Sequence, residues 1–187
     1  MDQVTQLERM FSDLLDYSRP IKLEEVPFSI GSLIDKALRQ LEPHLQGQTI
    51  TRSGIDESLP QVLGDPGKML QVLVNVIRNG LEAAGPGGEI RISASFEQTG
   101  DRQQIHLVVE DNGPGIPAQD LDRVFQPFFT TRKKGTGLGL AIVKKIMDAH
   151  GFGISVAGEE GRGAMVTLDL RIEDEKSQSL PRPRRKQ

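Results

Sequence analysis

The helix predicted over residues 66–84 constrains the fold most, because it is apolar on nearly every side. Gly64-Asp65-Pro66 marks its start, with Asp65 as the expected N-cap, and Gly85-Pro86-Gly87-Gly88 marks its end. Its apolar side chains are Met69, Leu70, Val72, Leu73, Val74, Val76, Ile77 and Leu81. This distribution is typical of a helix in a protein interior, which other elements must cover.

One stripe of this helix is polar. Its members recur at steps of three, four, four and three residues and therefore share a face: Lys68, Gln71, Asn75, Asn79 and Glu82. A solvent-facing stripe is the ordinary interpretation, but its centre carries two asparagines, which are poorer helix formers than Lys or Glu. An Asn side chain also offers a neutral oxygen that suits Mg²⁺ shared with phosphates. The stripe indicates either an exposed face or such a site.

The other predicted elements indicate an α+β fold. We expect helices at residues 32–45 and 139–150, a strand at 48–52, an antiparallel pair at 89–97 and 104–109, and a hairpin at 153–157 and 164–170. Together they predict a two-layer α/β sandwich, in which a mixed, mostly antiparallel sheet carries helices on one face.

An amphipathic helix is predicted to precede this sandwich. Val4, Leu7, Phe11 and Leu14 are spaced by three, four and three residues, and Ser18-Arg19-Pro20 ends the pattern. Such a helix either packs on its own domain or contributes to an intermolecular bundle, and two heptads do not separate these alternatives. The polar, proline-bearing segment from residue 173 onward is expected to be a disordered basic tail. We therefore expect three parts: the N-terminal helix in residues 1–20, the α/β domain in residues 21–172 and the tail in residues 173–187.

Composition excludes several classes of function. The 187 residues are 36% hydrophobic and 26% charged, which suits one packed domain. The net charge of -3 gives no overall case for nucleic acid, and the absence of cysteine excludes disulfides and thiolate metal sites. No apolar run approaches the ~20 residues of a membrane helix, and no signal peptide opens the chain, so we expect a cytoplasmic polypeptide. This expectation leaves open a membrane anchor elsewhere in a longer parent protein.

Two glycine-rich segments adjoin predicted elements: one follows the strand at 104–109, and the other precedes the helix at 139–150. Asp111 follows an apolar strand, and Gly113 and Gly115 permit the chain to turn there and to approach a ligand. By itself this segment is also compatible with a simple tight turn. Residues 135–139 (GTGLG) precede a helix, whose N-terminal amides and dipole favour an anion. This second segment has neither the P-loop pattern nor the Rossmann pattern.

In their order along the chain, these motifs resemble the catalytic and ATP-binding domain of sensor histidine kinases. That domain falls within the wider Bergerat or GHKL group, which includes gyrase and MutL. Residues 75–83 (NVIRNGLEA) resemble the N box, 111–116 (DNGPGI) the G1 box, 125–129 (FQPFF) the F box and 135–140 (GTGLGL) the G2 box. The segments FFTTR and NGLEA look most like the nitrogen-regulation branch of the family.

The resemblance implies the Bergerat fold and an ATP site with Mg²⁺, built from residues of all four boxes. The implied ATP-binding residues are Asn75, Asn79, Glu82, Ala83, Asp111, Gly113, Gly115, Ile116, Phe125, Thr131, Arg132, Lys133, Gly135, Thr136, Gly137, Leu138, Gly139 and Leu140. Asn75, Asn79 and Arg132 are implied to be catalytic.

The resemblance also implies individual roles. Asp111 would accept a hydrogen bond from the adenine amine, and Asn79 would bind Mg²⁺ with support from Asn75 and Glu82. Arg132, Lys133 or Lys134 would approach the terminal phosphate, while the amides of residues 135–139 hold the phosphate chain. Residues 117–134 correspond to a mobile ATP lid, anchored by Phe125, Phe128 and Phe129.

The chain departs from the family pattern at several positions. Asn75 stands where gyrase-like ATPases carry a catalytic Glu, so kinase chemistry fits better than fast hydrolysis. Ala164 replaces a threonine that often lies beside adenine. The acceptor histidine would lie on a long bundle helix beside an acid, and His44, His106 and His150 lack that context. Residues 7–20 instead resemble the end of the second dimerisation helix.

These features predict the ATP-binding half of a histidine kinase, which transfers the γ-phosphate of ATP to a histidine outside this chain. The implied partners are ATP, the dimerisation and histidine-phosphotransfer domain, and a response-regulator receiver domain. Nucleic acid is not among them, and the N-terminal helix would support only weak self-association. Two alternatives remain open, a serine kinase of the anti-sigma-factor type and a non-catalytic module that senses nucleotide.

Overall fold

The computed structural model describes residues 3–55, 58–100, 102–132 and 135–172. Its α-helices are α1 (Gln3–Ser18), α2 (Ile30–Leu41), α3 (Pro66–Ala84) and α4 (Gly139–His150). Short 3₁₀ helices lie at Glu42–His44 and Ala118–Arg123. Its strands are β1 (Val26–Phe28), β2 (Thr49–Ser53), β3 (Val62–Gly64), β4 (Glu89–Thr99), β5 (Arg102–Asp111), β6 (Gly153–Gly158) and β7 (Ala164–Arg171).

The main sheet has five strands in the order β2-β4-β5-β7-β6. Strand β2 runs parallel to β4, and the remaining neighbours are antiparallel. A separate antiparallel pair joins β1 to β3. The prediction of a mixed, mostly antiparallel sheet is confirmed. The small pair was not predicted, because strands of three residues are too short to show an alternating pattern.

Alternation along the central strands places the core on one face of the sheet. Ile92 on β4, Ile105 on β5 and Leu168 on β7 are fully buried under the helices, together with Leu73 and Ile77 of α3. Helix α3 packs against β4 and β5 and is flanked by α2 and α4. Because helices cover one face only, the molecule has two layers, and the predicted α+β sandwich is confirmed.

Helix α2 differs from its predicted bounds of 32–45 at both ends. It begins at Ile30 because the Ser29 hydroxyl accepts a hydrogen bond from the Ser32 amide at 3.3 Å, which makes Ser29 the N-cap. It ends at Leu41, since Pro43 has no amide hydrogen to continue the helical ladder and the chain tightens into a 3₁₀ turn. Strands β4 and β5 extend further toward their shared turn than expected.

A buried histidine fixes the start of α3 against the end of α4. Asp65 caps α3 by accepting hydrogen bonds from the amides of Gly67 and Lys68 at 2.9 and 3.0 Å. The Asp65 amide in turn donates to Nε2 of His150 at 3.0 Å, so the ring proton lies on Nδ1, which donates to the Ile146 carbonyl at 2.8 Å. The predicted N-cap is confirmed, and the position of α3 depends on α4.

Helix α1 lies against α3 and α4 through polar contacts. Gln71 donates to Asp16 Oδ2 at 2.9 Å, and the Lys145 ammonium donates to the carbonyl oxygens of Tyr17 and Arg19. The predicted apolar seam faces away, with Phe11 64% exposed and Leu14 44% exposed. The side chain of Val4 and the expected tail, residues 173–187, lie outside the described residues. Within the described part of the chain, no helix is long and apolar enough to span a membrane.

Candidate functional site

A cavity of about 390 Å³ opens between α3, the end of β5 and the segment that leads into α4. Thirteen of the predicted site residues line it: Asn79, Glu82, Ala83, Asp111, Gly115, Ile116, Thr131, Arg132, Gly135, Thr136, Gly137, Gly139 and Leu140. The fold therefore gathers residues from the predicted N, G1 and G2 motifs, and from the segment that follows the F motif, around one space.

The other predicted site residues lie outside the cavity wall. Asn75 is only 6% exposed beneath it, and Leu138 is 2% exposed in the core. Gly113 lies one residue before the wall, and Phe125 is half-buried next to Val124, which does line the cavity. Lys133 and its neighbour Lys134 lie outside the described residues.

Asp111 stands at the end of β5 with its carboxylate in the cavity wall. The Gly113 amide donates to Asp111 Oδ1 at 2.9 Å, and the Ala164 amide also donates to this carboxylate. Burial raises the pKa of Asp111 above its usual value, although these amides and the charge of Arg132 oppose the shift. Asp111 is thus a fixed acceptor that can receive an N–H group of a ligand.

The glycine loop, residues 135–139, connects the cavity to the N-terminus of α4. Gly137 has φ +68°, and a Cβ there would lie 2.4 Å from the carbonyl carbon of Phe128. The Phe128 amide donates to the Gly137 carbonyl at 2.9 Å, so the loop is pinned to the segment before it. Among the residues that the structure describes, no side chain caps the N-terminus of α4. Its first amides and the positive end of its dipole therefore favour an anion at this end of the cavity.

Arg132 is held against α3 by two hydrogen bonds. Its guanidinium donates to Glu82 Oε2 and to the Asn79 carbonyl, each at 2.8 Å. All three residues line the cavity, so a cation and a carboxylate neutralise one another at its polar end. Arg132 would have to leave Glu82 to bind a ligand phosphate with its full hydrogen-bonding capacity.

The environment of Asn79 fits a cation that is shared with an anionic ligand. Its side chain lines the cavity, and among the described residues its amide group has no hydrogen-bond partner. The described residues contain no cluster of three or more His, Asp or Glu side chains placed to bind a metal. One neutral oxygen is a poor metal site alone, but it suits Mg²⁺ that takes its remaining ligands from phosphates and water.

The segment 117–132 covers one side of the cavity. The Arg123 guanidinium lies 4.5 Å above the ring of Phe129, which lines the cavity. The expectation that Phe128 anchors this segment is wrong for the present conformation, because its side chain is 63% exposed. Phe128 also has φ +65°, a conformation that costs a bulky residue on the order of 1–3 kcal/mol.

Several wall residues were missed by sequence reasoning. Val156 on β6 and Val166 on β7 form an apolar wall together with Ala164, beside Asp111. Only the pairing of Asp111 with Ala164 across the sheet brings them there. Arg78 was also missed, although its place three residues after Asn75 puts it at the edge of the polar stripe.

Comparisons with known proteins identify a family and match the fold. Residues 64–174 match the model of the "Histidine kinase-, DNA gyrase B-, and HSP90-like ATPase" family. The sensor histidine kinase ZraS of Escherichia coli K12 is 36% identical over 171 residues, and the match covers 91% of this chain. The sensory histidine kinase/phosphatase NtrB of Rhizobium leguminosarum bv. phaseoli is 34% identical over 201 residues, covering 97% of this chain.

A solved structure of histidine kinase ThkA in complex with the response regulator TrrA superposes with a TM-score of 0.76 and 29% identity. The superposition covers 93% of this chain and 49% of that chain. The chain likewise spans 36% of the length of ZraS and 51% of that of NtrB. It therefore corresponds to one part of these longer proteins.

Proposed function

We propose that this chain, which belongs to the family of histidine kinase-, DNA gyrase B- and HSP90-like ATPases, binds Mg²⁺-ATP in the cavity beside α3 and donates the γ-phosphate to a histidine. Its homology to sensor histidine kinases supports the histidine as acceptor. One observation carries the proposal. One part of the cavity has apolar walls around the Asp111 carboxylate, which two backbone amides hold, and another part has Asn79, Arg132 and the N-terminus of α4.

The Asp111 end suits adenine. The ionised carboxylate accepts the exocyclic amine of adenine, while Ile116 and Val166 offer apolar contact to the ring. Guanine presents a carbonyl oxygen where adenine has its amine, so a carboxylate there would face an acceptor. The two backbone amides that hold Asp111 keep it from turning toward another partner.

The opposite end suits the polyphosphate. Amides of the glycine loop and of the first turn of α4 bind phosphate oxygens, and Arg132 exchanges Glu82 for the terminal phosphate. Asn79 would hold Mg²⁺, which neutralises the charge of the phosphates when bound. The contribution of the protein to transfer is then positioning and charge neutralisation.

Direct hydrolysis is not the reaction that these residues favour. Asn75 stands where gyrase-like ATPases carry a catalytic Glu. Its amide side chain cannot act as a base, and it is buried. Glu82 is paired with Arg132, and Asp111 belongs to the adenine end. None of these three residues is placed to act as a base toward water, which favours transfer to an acceptor outside this chain.

The acceptor histidine belongs to the dimerisation domain in this proposal. His150 is buried and bonded on both ring nitrogens, and His106 is paired with two carboxylates on the sheet. No histidine among the described residues lines the cavity. The complex of ThkA with TrrA supports a response regulator as the next partner. The exposed seam of α1 supports bundle formation and weak self-association.

The test combines this chain with radiolabelled ATP and Mg²⁺, with and without the histidine-bearing dimerisation domain of its own protein. We expect no label on this chain alone and acid-labile label on the added domain. Binding of ATP without any transfer would favour the nucleotide-sensing alternative. Acid-stable label on a serine would favour the anti-sigma-type kinase, and acid-labile label on this chain alone would reveal an acceptor within it, with His44 tested first.

A further inference from the structure

The two asparagines of the polar stripe occupy different environments, although they lie one helical turn apart on α3. Asn79 is partly exposed in the cavity wall, whereas Asn75 is 6% exposed and outside it. The resemblance alone assigns both to the metal and its waters. The contacts of Asn75 point to another role.

Both ends of the Asn75 amide are engaged. Its Nδ2 donates to the Gln71 carbonyl at 3.0 Å, and its Oδ1 accepts from Nη2 of Arg78 at 2.6 Å. The first bond orients the amide, so the oxygen points at the guanidinium. Because the guanidinium is always protonated, the second bond is charge-assisted and strong. A metal or a metal-bound water would have to compete with it for the same oxygen.

Arg78 places a positive charge at the wall of the proposed polyphosphate site. Arg78 lines the cavity, and the hydrogen bond to the buried Asn75 holds its guanidinium in place. Gly139, the first residue of α4, packs over both asparagines: a Cβ there would lie 3.6 Å from Asn75 Oδ1 and 3.5 Å from Asn79 Nδ2. The Arg78–Asn75 contact therefore lies close to the helix N-terminus that attracts an anion.

We propose that Arg78 is an additional polyphosphate-binding residue and that Asn75 is a positioning residue for Arg78, while Mg²⁺ stays with Asn79 as in the proposed function. The inference rests on the proposed function and specifies which residue binds the phosphates directly and which acts through Mg²⁺. Arg78 attracts the phosphates whether or not metal is present. Asn79 contributes only when the metal bridges protein and phosphate.

The division is tested by calorimetric titration of the full chain with ATP, once in EDTA and once in excess Mg²⁺. The Arg78→Met variant keeps the apolar stem and should bind metal-free ATP about tenfold more weakly, the loss expected for a charge-assisted hydrogen bond. Its Mg²⁺ enhancement, the ratio of the two affinities, should stay at the wild-type value. Asn75→Ala should reproduce this pattern. Asn79→Ala should bind metal-free ATP normally and lose the enhancement.

Three controls separate positioning from general damage. Adenosine, which has no phosphate, should bind the Arg78→Met and wild-type proteins equally, which also shows that the variant is folded. Arg78→Lys should recover part of the metal-free affinity, because it restores the charge without the planar fork. The double variant Asn75→Ala/Arg78→Met should be no weaker than Arg78→Met alone, as expected if Asn75 acts through Arg78.

Loss of Mg²⁺ enhancement in Asn75→Ala, at the level seen in Asn79→Ala, would overturn the inference and return Asn75 to the metal. Unchanged ATP affinity in Arg78→Met would overturn it as well. In both cases the proposed function would stand, because the wild type still binds ATP. A wild-type chain that binds neither ATP nor adenosine would instead remove the proposed function.

Discussion

The Thr136 hydroxyl donates a 2.9 Å hydrogen bond to Asp13 Oδ2 and so joins the glycine loop to α1 across 123 positions of sequence. Thr136 lines the cavity, and its oxygen also accepts from the Leu138 amide at 3.3 Å. A carboxylate of α1 is thus bound to the loop that we assign to the phosphates. Docking of α1 and binding of nucleotide are therefore expected to affect one another.

We predict that Asp13→Asn increases the affinity for ATP by about twofold to fivefold, the range expected for one partly screened charge. The variant keeps an acceptor for Thr136 but removes an anion that repels the incoming phosphates. Calorimetry at low ionic strength measures the gain, which should shrink at high salt.

Asp16→Asn is the matched control for this prediction. It makes the same charge change on the same helix, but Asp16 bonds Gln71, which does not line the cavity. Its effect on ATP affinity should be clearly smaller. Equal gains in the two variants would mean that only the net charge of α1 matters, and that the contact with Thr136 is incidental.

Asp111→Asn should abolish the preference for ATP over GTP and cost about 1.5–3 kcal/mol of ATP binding free energy, the worth of a hydrogen bond to a charged group. Asp120→Asn is the control, because Asp120 also lines the cavity but is paired with Arg123. Competition binding with both nucleotides is the measurement. A wild-type chain that binds ATP and GTP equally would refute the role of Asp111.

The pKa of Asp111 gives this site a pH dependence. Burial raises it above the usual 3.8, and the ionised form is a stronger acceptor for the adenine amine than the protonated form. We therefore expect ATP affinity to fall on acidification at a higher pH than an ordinary aspartate would give. In Asp111→Asn, which stays neutral throughout, this component of the pH profile should be absent.

The sequence predicts the parts of the site that depend on local pattern. Helical periodicity places Asn75, Asn79 and Glu82 on one face of α3, and the glycines mark the segments that approach it. Periodicity does not reveal that Asn75 is buried while Asn79 is only half-buried, because burial along α3 depends on the distant elements that pack against it, α2, α4, β4 and β5. Arg78 was missed for the same reason.

Long-range contacts account for the other omissions. Val156 and Val166 reach the cavity through the register of β6 and β7 beside β5, which no local window contains. The bond between Asp13 and Thr136 similarly requires the docked position of α1. The exposure of Phe128 follows from its positive φ and its bond to Gly137, a loop conformation that composition does not specify.

Arg132→Gln should weaken binding of ATP about tenfold and binding of ADP much less, because the guanidinium is expected to reach the terminal phosphate. The same variant loses the salt bridge to Glu82, so stability is measured in parallel by thermal unfolding. Arg123→Gln is the matched control, since that guanidinium lies over Phe129 on the same segment. Equal losses for ATP and ADP would place Arg132 away from the terminal phosphate.

A histidine on the sheet should make stability depend on pH. His106 on β5 contacts Asp169 on β7 at 2.7 Å through Nδ1 and Glu97 on β4 at 2.5 Å through Nε2, with Gln104 of its own strand beside it. Partial burial opposes the imidazolium, but the hydrogen bonds to Asp169 and Glu97 outweigh it and raise the pKa of His106 above 6.5. The hydrogen bond with His106 in turn lowers the pKa of Glu97 below 4.5.

We predict that His106→Gln removes this dependence. A raised histidine pKa stabilises the fold fully below the usual value of 6.5 and loses that effect as pH rises through the folded-state pKa, while the lowered pKa of Glu97 stabilises above 4.5. The contribution is therefore largest between these values and fades in alkali. Thermal unfolding should give a wild-type Tm about 2–4 °C above the variant at pH 5.5, with the difference closing by pH 9. A constant difference across that range would show that His106 contributes through packing and not through its charge.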